Sequence, residues 1–186
     1  MLIDLSNLID ISGPLARPVP VRSRPLGNRR GVCIRLENEN GVCGIGEASP
    51  LPDYSPESIE DCNRAFEHIR KIGIVLSDDP RIADAQKIRI AMSALPELSG
   101  LPSAAFAVET ALFDLVGRAA DRSMCCCLNP DSARGEIAVN ALLDIRGEAP
   151  LLAQRAAALT ERGFSAIKIK VGPHLSAEDE LARLRA

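Results

Sequence analysis

Two rhythms of apolar residues divide this chain. Residues 2–11 keep the spacing of a strand, and so do residues 31–36 and 42–47, which are joined by the turn-rich Glu37-Asn38-Glu39-Asn40-Gly41. These segments predict a hairpin beside a third strand. Between them, residues 13–30 are broken by Pro14, Pro18, Pro20 and Pro25 and crowded with arginine, which predicts a loop. The rhythm then shifts to that of helices. Ser55-Pro56-Glu57 offers an N-cap, a first-position proline and an acid, followed by Ile59, Cys62, Phe66 and Ile69 on one face and Gly73 as a stop. Asp79-Pro80 repeats the start signal before Ile82, Ala85 and Ile88, and a stronger helix runs from about Ser103 to Gly117. A three-stranded sheet with a helical layer, an α+β arrangement, is expected.

The order of elements changes near Arg134. Residues 137–143 read as a strand, residues 149–162 as a helix stopped by Gly163, and residues 164–171 as a second strand. Ser176-Ala177-Glu178-Asp179 then opens a last helix. Strand, helix, strand, helix is a parallel βαβ unit. The chain therefore divides into residues 1–130 and residues 135–186, with the boundary in the loop at 129–135.

Composition narrows the function classes. The 186 residues are 46% hydrophobic and 25% charged with a net charge of −3, which fits a globular protein and gives no basic footprint. Four Phe, one Tyr and no Trp leave few rings on which bases could stack, so no nucleic-acid partner is expected. No segment reaches the roughly 18 apolar residues of a membrane span. The N-terminus lacks a basic n-region, so no membrane partner and a cytoplasmic location are expected. The six cysteines include the consecutive run Cys125-Cys126-Cys127 and show no zinc-type spacing, which suits reduced structural thiols.

Lys168-Ile169-Lys170 carries the candidate chemistry. Alternation sets Ile167, Ile169 and Val171 on one face and both lysines on the other. Two ammonium groups on one face repel, which favours a neutral amine on one of them and so a proton acceptor near neutral pH. A solvated strand face also shows lysines at this spacing. In a parallel unit, however, one face packs on helices, and the lysine face would then look into a barrel or across an open sheet, where α/β active sites are built. Other polar residues read as structural: Gly44-Ile45-Gly46-Glu47 as a tight strand end, Glu109 and Asp114 as solvated or hydrogen-bonded, Ser49, Ser55, Ser58 and Ser103 as turn or cap residues, and His68 as a surface residue. His174, in the loop after the lysine strand, is the more interesting histidine. Asp144, Glu178 and Asp179 read as solvated or capping.

Three features in order match a known pattern: the hairpin running into Gly44-Ile45-Gly46-Glu47-Ala48-Ser49-Pro50-Leu51-Pro52, the helix from Ser103 through Glu109 to Leu115, and Lys168-Ile169-Lys170. The chain resembles the enolase superfamily over nearly its whole length, and within it the muconate-lactonizing subgroup. Its Ala-Ser-Pro-Leu-Pro-Asp-Tyr-Ser-Pro-Glu-Ser run is most similar to the o-succinylbenzoate synthases of menaquinone biosynthesis. The resemblance implies an α+β capping domain over residues 1–130, followed over residues 135–186 by the start of a (β/α) TIM-type barrel.

It further implies a dehydratase, a hydro-lyase that removes a proton alpha to the carboxylate of a small-molecule substrate. Lys170 would be the general base, Lys168 would tune it, and Mg2+ would stabilise the enediolate. The segments 13–30 and 50–55 would close over substrate. Racemases, epimerases and cycloisomerases of the same subgroup share the scaffold. The family's acidic metal ligands lie on later barrel strands, and a full barrel takes roughly 250 residues. The chain is therefore expected to be a truncated, inactive N-terminal fragment, or a non-catalytic module that self-associates or is completed by a complementing C-terminal chain.

Overall fold

The computed structural model describes residues 1–21, 24–129, 136–144, 148–170 and 176–185. The chain forms two compact units, Met1–Ala133 and Arg134–Ala186.

The first unit begins with β1 (Leu2–Asp10), β2 (Gly13–Val21), β3 (Arg24–Arg29), β4 (Val32–Asn38) and β5 (Cys43–Ala48). It continues with α1 (Ile59–Ile72), β6 (Ile74–Val75), α2 (Asp84–Ser93), a 3-10 turn at Pro96–Leu98, α3 (Pro102–Ala119) and α4 (Met124–Leu128). Its main sheet is four-stranded in the order β5-β4-β1-β6, one short strand more than the sequence suggests. Ile3 and Leu5 of β1 and Val32, Ile34 and Leu36 of β4 point inward onto Phe66 and Ile69 of α1 and Val108, Leu112 and Leu115 of α3. This is the core of the unit. On β5 the inward positions are Gly44, Gly46 and Ala48. A Cβ on Gly44 would lie 2.0 Å from the Ala111 carbonyl oxygen, and one on Gly46 1.9 Å from that of Ala107. The glycines let β5 lie directly on the α3 backbone.

Residues 13–29 are not the loop that their prolines suggest. Residues 13–21 and 24–29 form a two-stranded antiparallel ribbon in which Gly13 faces Arg29 and Pro20 faces Pro25, with an irregularity between Pro14 and Val19. Each strand of such a ribbon has one unpaired side, where a missing N–H costs nothing. The ribbon extends the β1/β4 pair: Asp10 faces Val32, the Ile11 amide donates to the Gly31 carbonyl, and the Gly31 amide donates to Ser12 Oγ.

Two helix starts also differ from the sequence reading. α1 is capped by Ser58, not Ser55, because Ser58 and Asp61 form a reciprocal capping box, and Gly73 closes the helix at φ 69°. α2 begins at Asp84, since Asp79 instead accepts the Arg81 amide in a local turn. The helix α4, which holds the cysteine run, was not expected from the sequence.

The second unit comprises β7 (Ala141–Asp144), α5 (Ala149–Glu161), β8 (Ile167–Lys170) and α6 (Ala177–Arg185). β7 and β8 pair in parallel, with Ala141 facing Ile167, Leu142 facing Lys168, Leu143 facing Ile169 and Asp144 facing Lys170. Leu143, Ile167 and Ile169 pack with Leu152, Ala156 and Leu159 of α5. An N-terminal α+β unit is thus followed by the start of a (β/α) barrel that does not close.

Candidate functional site

The lysine strand lies as its alternation predicts. Ile167 and Ile169 turn toward α5 and are half-buried, whereas Lys168 is exposed on the other face beside its register partner Leu142, which is 69% exposed. Leu142 therefore belongs to the lysine face and not to the apolar face of Ile167 and Ile169. The β8 backbone ends at Lys170, opposite Asp144 of β7. The side chain of Lys170, with Val171 and His174, lies outside the described residues. Parallel strands place these positions at the C-terminal ends of β7 and β8, the edge at which α/β folds assemble their sites.

Several polar residues of the first unit have structural partners. Ser55 Oγ accepts the Leu51 amide at 2.8 Å, Ser58 caps α1, and Ser49 Oγ donates to Glu47. Asp114 accepts the Ile45 amide at 2.9 Å with one oxygen and Arg118 Nε at 2.9 Å with the other, so it closes the outer edge of β5. Glu109 and His68 are exposed. A cavity of about 290 Å³ near α2 and α4 includes Asp84, which pairs with Arg122 at 2.5 Å and Lys87 at 3.8 Å.

Arg29 escaped the sequence reading, and Glu57 was assigned there to the start of α1. Glu57, 6% exposed, does not sit in the first turn of α1. It accepts the Ser103 amide at 2.5 Å, at the start of α3, where Leu101 offers no side-chain cap. Arg29 donates to the carbonyls of Pro50, at 2.9 Å, and Ser49. Both contacts join a side chain to a remote backbone group, which leaves no trace in spacing.

All six cysteines are free. Desolvation, with Glu57 and Asp61 adding to it, pushes the Cys62 thiol up to about 11. Cys127 is also raised, chiefly by burial, whereas Cys125 is exposed on α4. Among the described residues no group of three or more His, Cys, Asp or Glu is placed to hold a metal ion, so these residues do not fit the magnesium ion that the resemblance implies. In α6, Asp179 accepts from Ser176 Oγ at 2.7 Å and serves the helix start. No described helix is long and apolar enough to cross a membrane.

Comparison with known proteins agrees with this architecture. The family model for the MenC N-terminal domain matches residues 7–115, more than half of the chain. The chain is 26% identical over 176 residues to an o-succinylbenzoate synthase of Listeria innocua, covering 94% of this chain and 45% of the relative. It is 23% identical over 186 residues to an N-succinyl-L-Arg/Lys racemase of Bacillus cereus, covering 100% and 48%. A dipeptide epimerase of Enterococcus faecalis V583, solved with Mg and the dipeptide L-Leu-L-Tyr, superposes with a TM-score of 0.78 at 21% identity, over all of this chain and 50% of that one. The chain thus spans about half the length of these relatives. It belongs to the MenC N-terminal domain family, within the muconate-lactonizing and mandelate-racemase branch of the enolase superfamily.

Proposed function

We propose that this chain supplies the substrate-capping domain and the acid–base lysine strand of an o-succinylbenzoate synthase-like dehydratase. The observation that carries the reading is the parallel β7/β8 pair. Its apolar side is covered by α5, and its other side presents Lys168 with Lys170 two positions on. In this reading the neutral Lys170 amine takes the proton alpha to the substrate carboxylate. The resulting ammonium returns that proton to the departing hydroxyl, so that one water leaves for each turnover. Lys168, a cation beside it, disfavours protonation of Lys170 and draws the carboxylate. The family match over residues 7–115 supports the synthase class and with it a place in menaquinone biosynthesis. Magnesium would have to be held by groups other than the described residues.

A second reading, racemisation or epimerisation, draws on the racemase relative that aligns with the whole chain. It needs the same proton abstraction but returns the proton to carbon. Assay of the chain assembled with a barrel-completing C-terminal half, for dehydration and for epimerisation, separates the two. Lys170→Ala should lower turnover by ~10²–10⁴-fold, the range for a positioned general base. Turnover near wild type in Lys170→Ala would remove both readings. Epimerisation without dehydration would remove the first alone.

A further inference from the structure

The β2/β3 ribbon leaves the main sheet through a narrow joint, where Ile11 and Ser12 meet Gly31. Two consecutive arginines lie at the ribbon's base and reach different partners. Arg30 pairs with Glu60 of α1 at 2.7 Å, both side chains being more than half exposed. Arg29 is half-buried and gives its guanidinium to the carbonyls of Ser49 and Pro50. A Cβ on Gly31 would fall 2.5 Å from Ser49 Oγ, so the glycine lets this second segment lie against the ribbon's joint.

The segment that Arg29 holds is ordered from within. The Tyr54 and Ser55 amides donate to the Leu51 carbonyl at 3.0 and 2.8 Å, and Ser55 Oγ accepts the Leu51 amide. Asp53 sits in the left-handed region at φ 64°, a turn conformation that Asp tolerates better than most residues. Beyond Ser55, Glu57 ties the segment to the start of α3. The turn at residues 51–55 is therefore a compact body fixed at one end by Glu57 and at the other by Arg29. The ribbon is fixed by Arg29 as well.

We propose that Arg29 is a positioning residue that joins the base of the ribbon and the 49–58 segment into one rigid body. The joining stands on these contacts alone, and only its effect on substrate binding rests on the functional reading above. A guanidinium suits the task because its planar fork reaches two successive carbonyls at once, and charge-assisted hydrogen bonds are the stronger kind.

Hydrogen exchange of the 186-residue chain tests the joining directly. Arg29→Met keeps the apolar stem and removes the donors. It should raise exchange roughly tenfold in the 13–29 and 49–58 segments together, the factor expected on losing a charge-assisted hydrogen bond. Arg29→Lys, which can still donate to one carbonyl or both, should restore much of the protection. Arg30→Met should leave both segments unchanged, since exposed pairs contribute little. Release of the ribbon alone, or of neither segment, overturns the proposal.

In an active assembly with a barrel half, Arg29→Met should raise KM several-fold while kcat stays within about twofold, as for lost uniform binding. A fall in kcat at constant KM overturns the positioning role. An assembly inactive with Arg29 intact counts against the functional reading, and the exchange experiment still decides the clamp.

Discussion

Gly46→Ala is a perturbation to which the first unit should be highly sensitive. The added Cβ would lie 1.9 Å from the Ala107 oxygen and 2.8 Å from its carbonyl carbon, and both atoms are helix backbone that no rotamer change can move aside. Unstrained carbon-to-oxygen approaches begin near ~3.3 Å, so β5 and α3 must part by roughly 1.4 Å. That movement would stretch the 2.9 Å bond from the Ile45 amide to Asp114 past hydrogen-bond range. Overpacking costs about 1–3 kcal/mol, and losing a hydrogen bond to a charged group about 1.5–3 kcal/mol. A loss of roughly 3–5 kcal/mol lowers Tm by about 10–20 °C for a unit of this size. Thermal melting followed by circular dichroism measures it, with Gly27→Ala as the control. A Cβ on Gly27 meets nothing within 4 Å, and that variant should stay within about 1 kcal/mol of wild type. If Gly46→Ala melts within a few degrees of the control, the strand does not lie on the helix backbone as described and the argument fails.

Glu57→Ala should cost about 0.5–2 kcal/mol by uncapping α3, whereas Glu57→Gln, which keeps an acceptor for the Ser103 amide, should recover part of the loss in urea melts. Cys62 is fully buried with its thiol raised from 9.0 to about 11, so its contribution is complete below pH ~9 and lost as pH rises toward 11. Alkylation followed by mass spectrometry should therefore label the exposed Cys125 first and reach Cys62 only on unfolding, and a Cys62→Ala chain should lose less stability between pH 9 and 11.

Where local pattern decides structure, the sequence was readable. The hairpin of β4 and β5, the long α3 and the parallel β7/β8 pair follow from periods of 2 and 3.6, and the lysine face follows from the same alternation. Local signals failed where two of them competed or where a partner was distant. Ser55-Pro56-Glu57 lost the start of α1 to Ser58 because only Ser58 has Asp61 three residues on to complete a capping box. The prolines of residues 13–30 looked like loop punctuation, yet a ribbon with one free side per strand accommodates them. Gly44 and Gly46 suggested a tight strand end, and their reason is the backbone of α3, more than sixty residues away in sequence. Arg29 was missed and Glu57 misassigned to the start of α1 for a related cause: each bonds a main-chain group 20 or more residues off, and any residue type can offer such a group.

The two units divide the polar work between them. In the first, several carboxylates hold shape: Glu57 caps α3, Asp61 completes the capping box of α1, Asp114 closes the edge of β5, and Asp79 fixes a turn. Asp61 and Asp79 lie below their ordinary 3.8 because of hydrogen bonds from Ser58 and Arg81 respectively, so each favours the folded state above that pH and stops doing so as pH falls further. Such groups are engaged in the native state and are poorly suited to exchange protons during turnover. In the second unit one side of β7/β8 is closed by Leu152 and its neighbours, while the other leaves Lys168 and Leu142 exposed. The features that fix shape and those that could move a proton thus fall on different units. Changes at Arg29 or Gly46 should then act through binding or stability, and changes at the lysine strand through the chemical step.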